Sequence, residues 1–283
     1  MEFLPFLVDG LLLGFVYGVA AIGMSLIWGV MKVINLSHNI LIVYSMFGVY
    51  LLFGMGMNPY LAIILTAGAG LLIGILIYTV VLHRVIDAPH LSTLLATFSV
   101  SMIMTGLATA AWSTSPHNVE FSLGSISFGP VTFPIARLVA ALVAVLAAGG
   151  LFLFLYRTRP GRYIRAVTNN RAAAEMVGVP SNQILALSFG LGAMVAAISG
   201  GLIATFFPFN VLSGMNYQLK SFVVCVLGGL GNPLGALVGG LVLGTLEGII
   251  PMFMETSWVP VFEFGLFVLI IIFRPSGLFG AKE

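Results

Sequence analysis

The chain has 283 residues, of which 60% are hydrophobic and 7% charged, with a formal net charge of +2. A soluble domain is roughly a quarter charged, so a chain of this length has too few charges to cover a core in water. The single cysteine, Cys225, excludes an internal disulfide and a Cys-rich metal site.

The apolar runs are about 20 residues each, enough to cross roughly 30 Å of hydrocarbon as helix. The pattern predicts an all-α polytopic membrane protein of about 8–9 transmembrane helices in a single domain over 1–283. Spans are expected at 6–30, 37–54, 59–82, 92–112, 135–156, 183–207, a short one at 219–231, 233–254 and 258–273. The N-terminus lacks a basic n-region, so no cleaved signal peptide is expected. Nine crossings put the N-terminus outside and the C-terminus inside. Lys32, Arg84, Arg274, Lys282 and the arginines of 157–182 then share one side, and only Arg137 and Lys220 fall on the other. That asymmetry follows the positive-inside rule. If 219–231 is re-entrant, the C-terminal charges change sides.

Gly10, Gly14 and Gly18 recur every fourth residue in the first span, as do Gly231, Gly235 and Gly239, followed by Gly240, Gly244 and Gly248. Helices in lipid associate through close backbone approach, which small residues permit. These rows are expected to be packing faces. Sliding during gating is the functional alternative.

Asn35, Ser37, His38 and Asn39 crowd the start of the second span. Either they sit in the wet interface zone, or the helix is broken inside the protein, capped by Asn35 or Ser37, with free backbone groups on an aqueous path. Such an N-terminus favours a carboxylate. The four histidines lie on different segments without ligand spacing, so no metal or other cofactor is expected.

Segment 113–134, with Pro116, Pro130 and Pro134 and alternating Phe121, Leu123, Ile126, Phe128, Val131 and Phe133, predicts a small extracellular hairpin or cap. Residues 157–182 form a cytoplasmic loop, long for a simple connection, with Arg157, Arg159, Arg162, Arg165 and Arg171. Within it 162–178 predicts an amphipathic helix stopped by Gly178 and Pro180. Met176 and Val177 are apolar residues there, suited to an adaptable docking surface. The loop serves either to set topology beside anionic lipid or to seat a coupling helix in a cytoplasmic partner.

The chain echoes itself. A long span, the polar break 35–39, a short helix and a small-residue span are followed later by 183–207, a break at Tyr217–Ser221, a short helix and 233–254. The two sets run in opposite directions, as in transporters built from inverted repeats with interrupted helices. Glu247 is the one acid well inside a long span, expected to need a partner and to face protein or water. Glu263 lies nearer the outer surface. No Walker A, His-Glu-x-x-His or Ser-elbow pattern is present, so the chain is not read as an enzyme, and any ATP would be bound by another chain.

Ala172-Ala173-Ala174, three residues, then Gly178 matches the spacing of the Glu-Ala-Ala…Gly loop of ABC importer permeases, with Ala172 in place of the Glu and Glu175 displaced. A wider likeness joins it: Asn35-Leu-Ser-His38, Arg159-Pro-Gly-Arg162-Tyr-Ile-Arg165, Gly178-Val-Pro, the Gly-rich run Val226 to Glu247, and Arg274-Pro-Ser-Gly-Leu-Phe-Gly280. Across nearly its whole length the chain resembles the H-type permease subunits of branched-chain (hydrophobic) amino acid ABC importers. It departs from them at Asn39, where the family often has Gly, and in His83–His90, which lacks the usual Arg-Pro ending.

The resemblance implies a prokaryotic inner-membrane permease of an ATP-driven importer for branched-chain or other amino acids. Its partners would be a second permease subunit (related or self), two cytoplasmic ATPases and an extracytoplasmic binding protein; no nucleic acid is implied. Coupling to the ATPase would fall to Arg162, Arg165, Ala173, Ala174, Glu175 and Gly178. The path would fall to Asn35, Ser37, His38, Asn39 and Glu247. The alternative is an ion-coupled secondary transporter of a small polar solute.

Overall fold

The computed structural model describes residues 3–128, 131–274 and 276–280. Lys282, Pro130 and Pro275 lie outside the described residues, as do the side chains of Phe128 and Val131. Eleven α-helices and one two-stranded hairpin are present among the described residues. The helices are α1 Phe3–Met31, α2 His38–Gly54, α3 Pro59–Val80, α4 His90–Trp112, α5 Ile135–Arg157, α6 Arg159–Asn169, α7 Arg171–Met176, α8 Ser181–Ala204, α9 Ser213–Gly228, α10 Pro233–Ile249 and α11 Val259–Phe273. Seven of them, α1, α3, α4, α5, α8, α10 and α11 with short extensions, are long and apolar enough to cross a membrane. α2 and α9, at 17 and 16 residues, are shorter.

Three sequence expectations differ from the structure. The short span expected at 219–231 starts earlier and is α9. Tyr217–Ser221, expected as a polar break, lies inside that helix, and the break is at 205–212. The polar residues there punctuate nothing because they sit on a helix that packs against α1, α2, α10 and α11. The predicted helix 162–178 is two helices. Asn170 is extended and caps α7 through the Ala173 N–H, which splits the run.

α1 and α8 form the buried centre, each with 83% of its apolar window buried, whereas α4 and α11 have 17% and 11%. Three glycine seams hold the centre together. A β-carbon added at Gly14 would lie 2.8 Å from the Gly240 carbonyl oxygen. Gly10 meets Gly244, Gly18 meets Leu237, and Gly248 meets the α1 backbone at Phe6 and Gly10. On the opposite side Gly70 and Gly74 of α3 meet Ala193, Ala197 and Gly190 of α8. Between them Gly23 of α1 faces Gly192 of α8. Gly235 and Gly239 use a second edge of α10, against Gly228 and Val224 of α9, and Gly231 lies in the preceding turn at φ +82°.

The packing is reciprocal. α1 lies on α10 as α8 lies on α3; α1 touches α9 as α8 touches α2; α2 and α9 meet each other. The local chemistry repeats too. Asn35 accepts from the Ser37 N–H and hydroxyl to start α2, and Asn210 accepts from the N–H groups of Leu212 and Ser213 and the Ser213 hydroxyl to start α9. Asn58 caps α3 and Asn232 caps α10, each just before a proline in the first helical turn. The contacts Val16–Ser199 and Gly23–Gly192 make α1 and α8 antiparallel, so the halves α1–α3 and α8–α10 are inverted.

The hairpin pairs β1 Ser125–Phe128 with β2 Val131–Pro134, matching the predicted segment at its C-terminal end. Earlier in that loop Val119 is buried and His117 pairs with Phe209. Both backbone hydrogen bonds of that pair form, at 2.7 and 2.9 Å.

Gly240→Ala is expected to lower stability by about 1–3 kcal/mol, because the added carbon strikes the α1 backbone. Gly149→Ala, with open space around it on α5, is expected to be neutral or to stabilise by up to about 1 kcal/mol. Thermal unfolding of both variants in one detergent measures the contrast.

Candidate functional site

Three groups of polar residues stand out against the apolar bundle. The first is the start of α2. Asn35, Ser37 and His38 are completely buried, so the wet-interface reading does not hold for them. The His38 ring Nε2 meets the Ala20 carbonyl at 3.0 Å. Ala20 lies about 16 Å of helix from the Met31 end of α1 and about 25 Å from the Phe3 end. α2 therefore begins deep inside the bundle.

The expected free backbone groups are engaged in this conformation. The Asn39 N–H donates to Gln218 Oε1 at 3.2 Å, the Ile40 N–H to the Asn39 side chain, and the Leu36 N–H to Thr97. Asn39, which stands where the resembled family often has glycine, is itself tied to Ser101 at 2.9 Å. Gly214, at the start of α9, packs on the Asn39 backbone and Val43. The N-termini of the two interrupted helices thus meet. Sequence reasoning missed Gln218, and the signal it lacked was the true start of α9.

The second group is ionic. Glu247 was expected to need a partner, which the sequence did not identify. Lys220 is that partner: its Nζ donates to Glu247 at 2.5 Å and to Glu263 at 3.1 Å. The Tyr17 hydroxyl donates to Glu247 at 3.2 Å, and Lys220 lies 4.9 Å from the Tyr17 ring centre. Four helices, α1, α9, α10 and α11, meet there. Glu263 is 3% exposed. Two carboxylates and one ammonium hold one another at this depth because each alone would be costly. Reading Lys220 as part of the polar break Tyr217–Ser221 concealed the cluster.

The third group is the arginine arm, α6 and α7. The Thr158 hydroxyl caps α6 through the Gly161 N–H. Gly161 approaches the α5 backbone so closely that no side chain fits. Ile164 and Val167 are buried, while Arg162 and Arg165 are exposed. Arg165 donates to the Leu155 carbonyl at 3.2 Å and lies 4.5 Å from the Tyr156 ring centre. Arg171 pairs with Glu175 at 3.0 Å and Asp87 at 2.9 Å, fastening the arm to the α3–α4 loop. Partial burial lowers the Arg171 pKa, but the Glu175 and Asp87 carboxylates outweigh it, so the net direction is up. Ala174 is buried and Ala173 exposed. Gly178 ends the arm at φ +85°, a conformation that favours glycine. Met176 and Val177 at the tip are 83% and 80% exposed.

These groups sit at defined levels. The arm, the end of α1 and the C-terminal segment line one cavity of about 420 Å³ that includes Gly29, Arg165, Asn232 and Phe279. The opposite end holds the Asp9–Arg137 ion pair, with Phe206 and Phe207 under the guanidinium.

Lys220→Met leaves Glu247 and Glu263 together without a cation. It is expected to destabilise by about 3 kcal/mol, the low end for a broken buried pair because Lys220 is 18% exposed. Lys220→Met with Glu263→Gln is expected to recover most of that loss. Unfolding midpoints in detergent give the comparison.

Residues 6–271 match the family described as branched-chain amino acid transport system / permease component. The high-affinity branched-chain amino acid transport system permease protein BraD of Pseudomonas aeruginosa is 28% identical over 300 residues, covering 100% of this chain and 97% of BraD. LivH of Escherichia coli, of the same description, is 25% identical over 299 residues with the same coverage. The ribose import permease protein RbsC of Escherichia coli is 28% identical over 205 residues, covering 69% of this chain and 62% of RbsC. PsaBC from Streptococcus pneumoniae, solved in complex with Fab, shares the fold at a TM-score of 0.51 and 13% identity, covering 97% of this chain and 94% of that one. With a family match over almost its full length and an inverted, interrupted-helix membrane bundle, the chain belongs to the branched-chain amino acid transport system permease family.

Proposed function

We propose that this chain is the membrane-spanning subunit of an ATP-driven importer in a prokaryotic inner membrane, carrying branched-chain or other amino acids. Supporting it most directly is the arm. It has a buried apolar face that grips the bundle, an arginine-rich outer face and an apolar tip left uncovered. Two cytoplasmic ATPases would seat this tip, with Arg162, Arg165, Ala173, Glu175 and Gly178 shaping the contact and Ala174 anchoring it. A second permease chain and an extracytoplasmic binding protein complete the assembly.

The arm faces the cytoplasm in this reading, because Lys32, Arg84 and Arg274 belong to the same side of the bundle and the positive-inside rule assigns that side. The N-terminus is then outside. Force on the arm reaches α5 through Gly161 and Arg165 and reaches α1 through their packing. The path runs by the junction of α2 and α9, where Asn35, Ser37, His38 and Asn39 supply the polar groups, and on past Glu247 in the neighbouring ion cluster. The branched-chain names of BraD and LivH favour an apolar amino acid, and RbsC shows a related chain in a ribose import system.

The Lys220–Glu247–Glu263 cluster favours one other reading, an ion-coupled transporter. Uptake in vesicles separates the two. ATP-dependent uptake supports the importer, and uptake driven by an ion gradient without ATP overturns it. Purification in detergent with identification of co-purifying chains gives the same answer independently.

Met176→Glu with Val177→Glu is expected to cut uptake at least about tenfold and weaken retention of the ATPase. The variant should still insert at normal level, since both side chains are free of the fold. Unchanged uptake and substrate-stimulated ATPase activity would remove the arm from coupling.

A further inference from the structure

The cavity beneath the arm, of about 420 Å³, is in the size range of small-molecule sites. Its walls are mostly apolar, with Leu26 and Val30 from α1, Phe152 from α5, and Leu230 and Leu234 from the α9–α10 turn. Leu234 is 55% exposed and Leu230 39% exposed, so the chain leaves this wall open. None of the described lining residues is acidic.

One lining residue is a cation. The Arg165 Nε donates to the Leu155 carbonyl, and the guanidinium lies 4.5 Å from the Tyr156 ring centre. Those two contacts fix the fork in place on the last turn of α5. Its Nη groups have no hydrogen-bond partner among the described residues, and no carboxylate there pairs with it. Arg137 and Arg171, by contrast, are each matched by an acid. The other polar lining groups are engaged within the chain. The Thr168 hydroxyl donates to the Ile164 carbonyl, and the Asn232 amide donates to the Phe279 carbonyl. The cavities at the opposite end set Asp9 or Glu120 beside Arg137.

The cavity also has a direction. Leu155, which holds Arg165, is two residues from the end of α5. Phe152 and Leu26 each lie five residues inside the ends of the spanning helices α5 and α1, about 8 Å deeper. A fixed cation therefore stands where the spans end, at the level that tyrosines such as Tyr156 favour. Apolar walls run from it into the membrane. An arginine fork matches phosphate oxygens in pairs, and a free phosphate ion gains nothing from the apolar walls. A zwitterionic head group would bring an ammonium that finds no acid in the cavity.

We propose that this cavity binds one anionic phospholipid from the leaflet on the arm's side. Its phosphate sits on the Arg165 Nη groups, and the start of an acyl chain lies against Leu26, Phe152 and Leu234. The lipid fills the space between α6, α1 and the α9–α10 turn and braces the arm from the bundle side. It leaves Met176 and Val177 at the tip uncovered. The site stands whether ATP or an ion gradient drives uptake.

The test is native mass spectrometry of the protein purified in mild detergent with the chains that accompany it, after addition of phosphatidylglycerol. The wild type is expected to keep one phosphatidylglycerol under activation that strips the rest. Arg165→Gln is expected to lower that adduct at least about fivefold, the effect of one arginine near a membrane surface. Arg159→Gln removes an exposed arm charge outside the cavity and is expected to keep the adduct at the wild-type level. Leu234→Trp fills the groove from an exposed position, spares Arg165, and is expected to lose most of the adduct. It also keeps the test open where Arg165→Gln fails to fold. Equal losses from Arg159→Gln and Arg165→Gln make the binding a diffuse attraction and overturn the site. Phosphatidylcholine kept as well as phosphatidylglycerol overturns the role of charge. Displacement by inorganic phosphate alone makes the cavity a free-anion site and overturns the lipid. Full retention in Leu234→Trp overturns the place given to the acyl chain.

Discussion

The bundle depends on helices that touch backbone to backbone. In lipid, apolar side chains gain nothing by leaving one apolar surface for another, so close packing must supply the cohesion. Gly14 against Gly240 and Gly10 against Gly244 bring α1 and α10 together without intervening side chains. Gly74 against Gly190 does the same for α3 and α8, and Gly23 against Gly192 joins the two central helices. Remove this closeness and the polar groups elsewhere lose their alignment. His38 reaches the Ala20 carbonyl, and Tyr17 reaches Glu247, only because α1 is hemmed in on three sides.

Within that frame, polar chemistry is confined to a few junctions. Two helices start inside the bundle, and their first-turn N–H groups are taken up by Asn35, Asn39, Gln218 and Asn210. This satisfies the demand that backbone groups in hydrocarbon find partners. The Lys220 ion cluster ties α11, the least buried spanning helix, to the rest. The arm stands apart from these. Its inner face is as firmly packed as a core helix, and its tip is free.

Much of this was legible in the sequence, and what was not has physical causes. The seven spanning helices declare themselves by apolar length, and the glycine rows declare a packing purpose, though not which neighbour each row meets. Gly235 and Gly244 share a helix yet face α9 and α1 respectively, because α10 presents two glycine edges. α9 was misplaced because Tyr217 to Ser221 are polar, and polar residues in a membrane segment read as a break. They are instead about a turn and a half of a helix that packs on α1, α2 and α10. That error hid the link from Lys220 to Glu247. The inverted halves were visible from spacing, but their clearest marks, Asn35 with Asn210 and Asn58-Pro59 with Asn232-Pro233, went unread. Single residues without a surrounding pattern carry little weight until the fold aligns them. The arm was found by its charges and its Gly178 stop. Its division at Asn170 was not, because asparagine within a helical run gives no strong stop.

The C-terminal segment bears on how the protein is made. The N–H groups of Leu278 and Phe279 bond the Leu227 and Gly228 carbonyls, and the Asn232 side chain holds the Phe279 carbonyl. The turn between α9 and α10 is therefore closed by residues that follow α11 in the chain. The carbonyls at the end of α9 must wait for donors that come only after α10 and α11, so this turn locks after both of those helices have been made.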